Sequence, residues 1–381
     1  MKLTFFSNFL NHHQIPFCNE MYKSLGENFK FIATERVPQE RLKLGYKDSS
    51  NDYSYSINIY ESDKNYAIAK QLADESDVVI FGSAPRYFIE DRLCEDKLTF
   101  KYSERIFKNG RLRLVDPRVF TMCYKSYIKY RKNKNFHLLC ASNYTAPDMK
   151  LIGAFPNKKW KWGYFPEIKY YNIEHLINLK RSNVINILWV GRFLDWKRPD
   201  QAILVAKRLK EEGYKFILNI IGTGDMEEEL MNLIMKNNLS NCVNMLGSMS
   251  PDDVRMYMER SNIFLFTSNY KEGWGAVLNE AMNSGCAIVA ANSIGAVPYM
   301  INNGENGFIY RYRDIDHLYN CVKTLINDKE LREKISINAY DTILYKWNPK
   351  IAANRLINLS KQLLEHEENI ILYKEGPCSK G

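Results

Sequence analysis

The stretch 263–291, IFLFTSNYKEGWGAVLNEAMNSGCAIVAA, contains the pattern that decides the fold. An apolar run (263–266) leads into a polar turn with two glycines, and a helix-compatible segment (276–283) follows. Gly285 then ends the helix, and a second apolar run begins. This order predicts strand, loop, helix and strand, which is the repeating unit of a parallel α/β sheet.

The turn between the first strand and the helix is a candidate binding site. Open α/β proteins bind ligands in the loops at the carboxyl ends of their parallel strands. The backbone N–H groups of Gly273, Trp274 and Gly275 are predicted to lie at the helix N-terminus, next to Ala276. Such a terminus attracts anions, and the two glycines allow a ligand to approach the backbone closely.

Two carboxylates frame this turn, Glu272 before it and Glu280 on the helix. An ionised carboxylate accepts hydrogen bonds from hydroxyl groups, whereas an anionic phosphate would not bind to two acids. The arrangement therefore suggests one acid for a hexose and one for a ribose. The alternative is that Glu272 is a charge favoured by the helix dipole and Glu280 is a solvated helix residue.

Length and composition predict a globular protein of two domains. The 381 residues suffice for two domains, and 45% hydrophobic and 25% charged residues are typical of soluble proteins. No apolar run approaches the roughly 20 residues that span a bilayer, and the N-terminus lacks the pattern of a signal peptide, so we expect a cytoplasmic protein. The eight cysteines are scattered without a CxxC pair. They are predicted to be buried side chains rather than metal ligands or disulfides.

The net charge of +9 is unevenly distributed. Twelve basic residues and two acidic ones lie between Lys97 and Lys134. The interleaved aromatic residues are Tyr102, Phe120, Tyr124, Tyr127 and Tyr130. A basic face with aromatics suits nucleic acid, an anionic membrane surface or a phosphorylated acceptor. No nucleic-acid-binding motif accompanies it, which favours the last two.

The first half of the chain has the pattern of a doubly wound domain, because short apolar runs alternate with helical segments. The runs are 2–6, 29–33, 77–81, 98–102 and 138–142. The loop after the first run carries Asn11, His12 and His13, which either face a substrate or belong to a surface loop. The aromatic-rich segment 153–167 is predicted to be an interdomain connection that packs against both halves. A long irregular connection is expected over 38–56.

The second half begins with an apolar run that ends at Gly191, directly before Arg192. Lys197 follows where the next helix begins. The Arg fork binds oxygens in pairs and the Lys acts as a point charge, so the two residues suit two phosphates; the alternative is a solvated surface pair. Gly222 and Gly247 end the next two runs, and all these loops are predicted to converge on one rim of the sheet.

Two further features of the second half limit its interpretation. GTGDME (222–227) resembles the start of a dinucleotide fingerprint, but Glu227 stands where the third glycine belongs, which argues against NAD. A helix is predicted over 316–338, and Trp347-Asn348-Pro349 interrupts the pattern before a last helix over 350–366. The tail after that helix is predicted to be mobile.

Several motifs of the second half resemble, as a set, the donor-binding half of family 4 retaining glycosyltransferases. The motifs are WVGRFLDWK (189–197), IIGTGD (220–225), the Glu-x7-Glu frame EGWGAVLNE (272–280) with EAMNSGCAIVAA (280–291), and SIGAVPYMINNGENGF (293–308). The resemblance covers about residues 186–347. It implies a GT-B architecture, in which two Rossmann-like, doubly wound α/β domains face each other across a cleft. Residues 1–168, with a crossover helix in 348–381, would bind the acceptor, and residues 169–347 would bind the nucleotide-sugar donor.

The resemblance also implies roles for individual residues. Arg192 and Lys197 would hold the donor diphosphate. Glu272, with the amides of Gly273 to Gly275, would hold the donor sugar, and Glu280 would hold the ribose. The other donor-binding positions implied in this way are Gly191, Gly222, Gly247, Trp274 and Ala276, with the loop at Gly247 near the base.

The first half departs from the family pattern. Its first loop carries Asn11-His12-His13 in place of paired glycines, and the expected His after the run 98–102 is replaced by Ser103-Glu104. Glu104 either takes the catalytic role of that His or pairs with Arg105 or Lys108.

The sequence therefore predicts a retaining, metal-independent glycosyltransferase of cell-surface polysaccharide synthesis. It would transfer a sugar from a UDP-sugar, as co-substrate and without a cofactor, to a hydroxyl of a saccharide acceptor. The basic, aromatic face predicts a lipid-diphosphate-linked acceptor, and hence peripheral binding at the inner face of the cell membrane. The alternatives are a sugar-nucleotide epimerase or a phosphorylase of the same two-domain plan, or a non-catalytic protein that binds sugar nucleotides.

Overall fold

The computed structural model describes residues 1–39, 51–366, 370 and 373–381. The chain divides into two compact units. Unit 1 comprises Met1–Glu167 and Asn348–Gly381, and unit 2 comprises Ile168–Trp347. Most of the irregular connection predicted over 38–56 lies outside the described residues.

Unit 1 contains a parallel sheet of seven strands in the order β3-β2-β1-β4-β5-β6-β7. The strands are β1 (Leu3–Ser7), β2 (Phe29–Ala33), β3 (Ser56–Asn58), β4 (Val78–Phe81), β5 (Thr99–Ser103), β6 (Phe136–Cys140) and β7 (Lys159–Lys161). Every residue of β1, β4 and β6 is buried. Burial on both faces is why these strands are mostly apolar along their whole length rather than alternating between apolar and polar residues.

Helices connect the strands of unit 1. They are α1 (Ile15–Leu25), α2 (Asp63–Glu75), α3 (Glu90–Cys94), α4 (Pro117–Cys123) and α5 (Thr145–Leu151). A proline lies in the first turn of α1 and of α4, where its missing N–H costs no hydrogen bond. The Ser62 side chain caps α2 by accepting a hydrogen bond from the Asn65 N–H.

Unit 2 contains a parallel sheet of six strands in the order β10-β9-β8-β11-β12-β13. The strands are β8 (Ile185–Val190), β9 (Phe216–Ile221), β10 (Val243–Met245), β11 (Ile263–Phe266), β12 (Ala287–Ala291) and β13 (Phe308–Tyr310). The strand order reverses at β8, which pairs with β9 on one side and with β11 on the other. In doubly wound folds the ligand crevice opens at such a switch point, beyond the carboxyl ends of the strands.

The helices of unit 2 cover both faces of its sheet. They are α6 (Ile173–Leu179), α7 (Pro199–Glu211), α8 (Glu227–Lys236), α9 (Pro251–Arg260), α10 (Val277–Asn283), α11 (Val297–Met300), α12 (Ile315–Asn327) and α13 (Lys329–Tyr345). The single helix predicted over 316–338 is wrong, because Asp328 leaves helical geometry and its side chain caps α13. The chain then returns to unit 1 in α14 (Pro349–Leu364), which packs against α1.

The predicted fold class of two parallel, doubly wound α/β domains is confirmed. Seven of the eight cysteines are buried, and all eight are free thiols, with Cys94 exposed. None of the helices in the described ranges combines the length and the apolar character needed to cross a bilayer.

Two predictions about the ends of unit 1 are wrong. The segment 153–167 is not an interdomain connection, because Lys159–Lys161 forms β7 within unit 1 and Trp160 and Trp162 are buried. The tail is not a loose end either. The N–H of Cys378 donates to the carbonyl of Lys161, and the N–H of Lys161 donates to that of Ser379, each at 2.8 Å, so the tail lies along β7.

Candidate active site

The switch point of unit 2 brings together the loops that follow β8 and β11. The Thr267 Oγ1 lies 2.8 Å from the carbonyl oxygens of both Lys197 and Arg198. The indole Nε1 of Trp189 donates to the same hydroxyl at 2.9 Å. The Asn269 N–H also donates to the Trp196 carbonyl at 2.8 Å. The loop after β11 is therefore fixed against the loop that carries Lys197.

Lys197 and Glu272 form an ion pair at this point, through Nζ and Oε2. The Ser268 Oγ donates to the same carboxylate oxygen at 3.1 Å. Both partners are mostly withdrawn from solvent, since their side chains are 16% and 11% exposed. The Lys197 ammonium also lies 4.7 Å from the centroid of the Trp196 ring, a distance that allows a cation–π contact. The sequence assigned these two residues to different parts of a ligand, and the structure places them in contact.

Arg192 differs from Lys197 in its surroundings. It is exposed, directly after the last residues of β8. The neighbouring Arg198 is held instead by a two-pronged ion pair with Asp200, whose oxygens lie 2.9 and 2.7 Å from Nε and Nη2. Hydrogen bonding to Asp200 raises the pKa of Arg198. Lys197 and Arg198 are thus each paired with a carboxylate, Glu272 and Asp200, whereas Arg192 is exposed.

The glycine loops after β8, β9 and β10 also meet at this rim. The N–H of Gly191 donates to the Ile221 carbonyl at 3.0 Å, and the N–H of Gly222 donates to the Gly247 carbonyl at 2.8 Å. Gly222 has φ of +143°, and a Cβ there would lie 1.8 Å from the Gly191 oxygen. Only glycine allows these two loops to pack so closely.

The turn of Gly273, Trp274 and Gly275 lies directly before the N-terminus of helix α10, where the sequence predicts it. Helix α10 begins at Val277, with Ala276 as its N-cap, so the three residues precede its first turn. The side chain of Trp274 is fully buried and donates from Nε1 to the Asn279 Oδ1 at 3.0 Å. Its predicted donor-binding role is thereby restricted to its backbone.

Glu280 lies on α10 next to an arginine that the sequence did not single out. The two terminal nitrogens of Arg255 donate to the Glu280 carbonyl at 2.7 Å and to the Asn283 Oδ1 at 2.6 Å. Burial raises the pKa of the Glu280 carboxyl, and the Arg255 charge opposes that rise. Arg255 is distant in sequence from α10, which is why no local pattern pointed to it.

The loop after β12 supports the Glu272 turn. The Ser293 Oγ donates to the Ser268 carbonyl at 2.9 Å, and the Gly295 N–H lies 3.4 Å from the Glu272 carbonyl. Ser268 in turn holds the Glu272 carboxylate. Neither serine was predicted to support Glu272, because both side chains are uncharged and their contacts are formed only in the fold.

In unit 1, Asn11, His12 and His13 form a tight turn after β1. The Asn11 Oδ1 accepts hydrogen bonds from the N–H groups of His13 and Gln14, at 3.0 and 3.2 Å. The ring of His13 stacks on Tyr164, with centroids 5.8 Å apart and ring planes 19° from parallel. The loop is therefore ordered by its own side chains.

Glu104 is linked to the same aromatic residue. The Tyr164 hydroxyl donates to the Glu104 Oε1 at 2.6 Å, and Lys108 forms an ion pair with the other oxygen. Arg105 faces the buried Asp148 instead, with 3.5 Å between Nε and Oδ2. Of the two pairing partners considered for Glu104, the structure shows Lys108. Tyr164 joins the loops after β1 and β5, and sequence reasoning missed it because the pairs lie far apart along the chain.

No group of three His, Cys, Asp or Glu side chains in the described ranges is arranged to hold a metal ion. The roles predicted for Arg192 and Lys197 toward a diphosphate remain predictions. Metal independence and the lack of a cofactor remain predictions.

A family model and three relatives match parts of this chain. The model of glycosyl transferases group 1 matches residues 173–342. An uncharacterized glycosyltransferase of Haemophilus influenzae is 33% identical over 150 residues, which are 39% of this chain and 42% of that protein. Another, from Methanocaldococcus jannaschii, is 29% identical over 319 residues, or 83% of this chain and 82% of that protein. A Campylobacter jejuni protein named N-acetylgalactosamine-N,N'-diacetylbacillosaminyl-diphospho-undecaprenol 4-alpha-N-acetylgalactosaminyltransferase is 29% identical over 147 residues, 39% of each chain.

The matches with the Haemophilus and Campylobacter proteins thus span less than half of those proteins' length. Among solved structures, that of HepE from Anabaena in complex with UDP has a TM-score of 0.66 and 16% sequence identity. The comparison covers 96% of this chain and 99% of that one. Residues 173–342 therefore match the group 1 glycosyl transferases, and the chain as a whole has the two-domain GT-B fold.

Proposed function

We propose that the protein is a retaining, metal-independent glycosyltransferase that uses a UDP-sugar as donor. The observation that carries this proposal is the Lys197–Glu272 ion pair, which joins the loops after β8 and β11 at the switch point of unit 2. The family match over residues 173–342 supports a glycosyltransferase, and the UDP bound to the Anabaena neighbour supports the nucleotide. The proposal includes no cofactor.

The ion pair suits a donor that presents a diphosphate next to a sugar. An ammonium group has three N–H donors, so Lys197 can hold Glu272 and a phosphate oxygen together. Arg192 is exposed and free to rotate toward the second phosphate. Negative charge develops on the departing phosphate as the glycosidic bond breaks, and both cations would stabilise it.

The two acids would bind different hydroxyl groups of the donor. Glu272, beside Lys197, would accept from the sugar, where the ring flattens as the bond breaks. Glu280 would accept from the ribose. Burial raises the pKa of Glu280, and hydrogen bonds from ribose hydroxyls would favour its ionised form again.

Retention is proposed to follow from attack on the front face of the sugar. The acceptor hydroxyl would approach on the side of the leaving group, and the departing phosphate would take its proton. In unit 1, Glu104 and Tyr164 would orient the acceptor, since their hydrogen bond fixes a carboxylate beside the His13 ring.

The proposed acceptor is a lipid-diphosphate-linked saccharide, and the pathway is cell-surface polysaccharide synthesis at the inner face of the membrane. The Campylobacter relative is named for a diphospho-undecaprenol acceptor, which supports the chemistry. The twelve basic residues between Lys97 and Lys134 support an anionic partner in unit 1.

The test is turnover of a panel of nucleotide sugars, first ranked by the rise in melting temperature that a ligand of the native state produces. We expect a UDP-sugar to rank highest, UDP release to require acceptor, and NMR of the product to show the donor's anomeric configuration. Activity should persist in excess EDTA.

The alternatives give different results in the same assay. An epimerase would convert the donor without acceptor, a phosphorylase would need inorganic phosphate, and a binding protein would show the melting shift without turnover. The Lys197→Ala variant serves as the control for background hydrolysis.

A further inference from the structure

The segment 111–125 of unit 1 exposes an unusual number of large apolar side chains. It contains a 3-10 helix (Arg111–Val115), helix α4 and the start of a π-helical turn (Tyr124–Ile128). The exposed side chains, with their exposed fractions, are Leu112 (85%), Val115 (85%), Phe120 (52%), Met122 (48%) and Tyr124 (50%). Isolated exposed apolar residues are ordinary, but a contiguous group marks an interaction surface.

The segment is anchored to unit 1 by its other side chains. Cys123 is fully buried, and Tyr127, in the turn that follows, packs against the hydrophobic core of the unit. Arg111 lies 3.6 Å from the carboxylate of Asp148, whose side chain has no exposure. Leu112 and Val115 are therefore exposed on an anchored segment, which presents them to solvent as part of the fold.

The surroundings of these apolar residues are basic. The basic residues of 111–134 are Arg111, Arg113, Arg118, Lys125, Lys129, Arg131, Lys132 and Lys134, and the single acidic residue is Asp116. Arg118 donates to Asp116 from its backbone N–H at 2.9 Å and from Nη2 at 3.0 Å. These bonds hold the pKa of the Asp116 carboxyl below its usual value. Asp116 is thus engaged by Arg118, and Arg111 is paired with Asp148, so the other six basic residues of 111–134 leave the segment with an excess of positive charge.

We propose that the segment 111–125 docks on an anionic phospholipid bilayer, with Leu112, Val115 and Phe120 inserted at the boundary between headgroups and acyl chains. Basic side chains are attracted to anionic headgroups, and exposed aliphatic side chains gain free energy only from an apolar phase. A polyanion such as RNA would engage the charges but leave Leu112 and Val115 in water. This proposal rests on the proposed function, because it assumes a lipid-linked acceptor. The segment begins shortly after Glu104 in the chain, so it belongs to the part of unit 1 that is proposed to orient that acceptor.

Sedimentation of the full chain with sucrose-loaded vesicles tests this surface. Vesicles of phosphatidylcholine alone are compared with vesicles that contain about a third phosphatidylglycerol, at low and high salt. We expect binding to the anionic vesicles that weakens with salt. Leu112→Ser with Val115→Ser should lower the partition coefficient about tenfold or more, because two apolar side chains leave the lipid. Arg113→Glu with Lys125→Glu should lower it by more than about twentyfold, at about fivefold for each basic residue that is lost.

Matched control variants lie in unit 2. Met231→Ser with Met235→Ser removes two exposed apolar side chains, and Lys236→Glu with Lys334→Glu reverses two exposed lysines. Both controls should bind vesicles as the unchanged chain does. Circular dichroism and UDP titration of every variant verify the fold and the donor site, so a failure of vesicle binding is separate from a failure of the proposed function.

Three results would overturn the proposal. One is equal partitioning of the full chain into neutral and anionic vesicles. Another is a Leu112→Ser, Val115→Ser variant that binds anionic vesicles as well as the unchanged chain. The third is self-association of the full chain that this variant abolishes, which would make the segment an interface between two copies.

Discussion

At the scale of single residues, the proposed donor site depends most on the Lys197–Glu272 pair. A mostly buried ion pair contributes little net stability, because desolvation of the two groups offsets their attraction. The pair lies at the strand-order reversal, where doubly wound folds bind ligands, and we therefore propose that it serves binding rather than folding. The Ser268 hydroxyl and the Thr267 hydroxyl hold the two loops in the geometry that brings the charges together.

We expect Arg192→Ala and Lys197→Ala each to lower kcat/KM roughly thirtyfold or more, which corresponds to a loss of about 2 kcal/mol of transition-state stabilisation. In the proposed mechanism both cations stabilise the negative charge that develops on the departing phosphate. Steady-state kinetics at saturating acceptor measure this. Lys207→Ala, on the exposed side of α7, is the matched control and should keep normal rates. Near-normal turnover in both site variants would remove the diphosphate role.

A second residue-scale prediction concerns His137 in β6. Its pKa is lowered to about 3, mainly by burial and then by the charges of Lys158 and Lys380. The neutral ring accepts a hydrogen bond from the Trp160 Nε1 at 3.1 Å. Because the pKa of His137 is lower in the folded chain than the unfolded value of 6.5, the neutral ring stabilises the fold fully above pH 6.5. This stabilisation of the fold is lost as the pH falls through the folded pKa.

His137→Gln keeps an acceptor for Trp160 and removes the titration. Between pH 7.5 and pH 5, the free energy of unfolding of the unchanged chain should fall by about 2 kcal/mol more than that of the variant. Urea unfolding followed by tryptophan fluorescence at each pH measures the difference. Parallel pH profiles for the two chains would show that His137 is not neutral in the fold.

At the scale of elements, the turn before α10 depends on glycine. Gly275 has φ of +88°, and a Cβ there would lie 2.3 Å from the Phe266 Cζ. Gly275→Ala should destabilise the chain by about 2 kcal/mol or more, from the backbone strain and the clash together. Gly304→Ala is the control, because Gly304 has φ of +81° with nothing within 4 Å of its Cβ position. Urea unfolding should show a smaller loss in the free energy of unfolding, about 1 kcal/mol, for Gly304→Ala. Equal losses would contradict the close packing of the turn on Phe266.

The pairing of the tail with β7 leads to a further element-scale prediction. Deletion of residues 376–381 removes the backbone hydrogen bonds to Lys161 and uncovers the buried Trp160. We expect the melting temperature to fall by several degrees, measured by calorimetry. Lys380→Ala, which keeps the backbone pairs, should change it little. An unchanged melting temperature after the deletion would contradict the tail's contribution.

The same elements show what sequence reasoning can reach. The central strands β8, β9 and β11 were predictable, because β11 is a fully buried apolar run and β8 and β9 are apolar apart from one Asn each. The strands β3, β7 and β13 were missed. Each is a strand of three residues at an edge of its sheet. An edge strand pairs with only one neighbouring strand, and its residues need not be apolar.

At the scale of the whole molecule, periodicity and glycine placement predicted two doubly wound domains, and the family resemblance predicted GT-B. Charged candidates such as Arg192 and Glu272 were predictable, because they lie in the loops that follow β8 and β11, two neighbouring strands whose carboxyl ends meet at one edge of the sheet. Tyr164 and Arg255 were not, because each acts through partners distant in sequence. The predicted assignment of the domains to acceptor and donor remains a prediction.

The most direct test of the central claim is calorimetric titration of UDP into the full chain and into two variants, Glu280→Ala and Glu272→Ala. We expect Glu280→Ala to raise the Kd for UDP about tenfold or more, because a ribose hydroxyl loses a charged acceptor. Glu272→Ala should change it by less than about threefold, because UDP lacks the sugar that Glu272 binds. Glu228→Ala, at the start of α8, is the control and should bind UDP normally. If Glu272→Ala abolishes UDP binding while Glu280→Ala leaves it intact, the assignment of the two carboxylates, and with it the proposed donor site, is wrong.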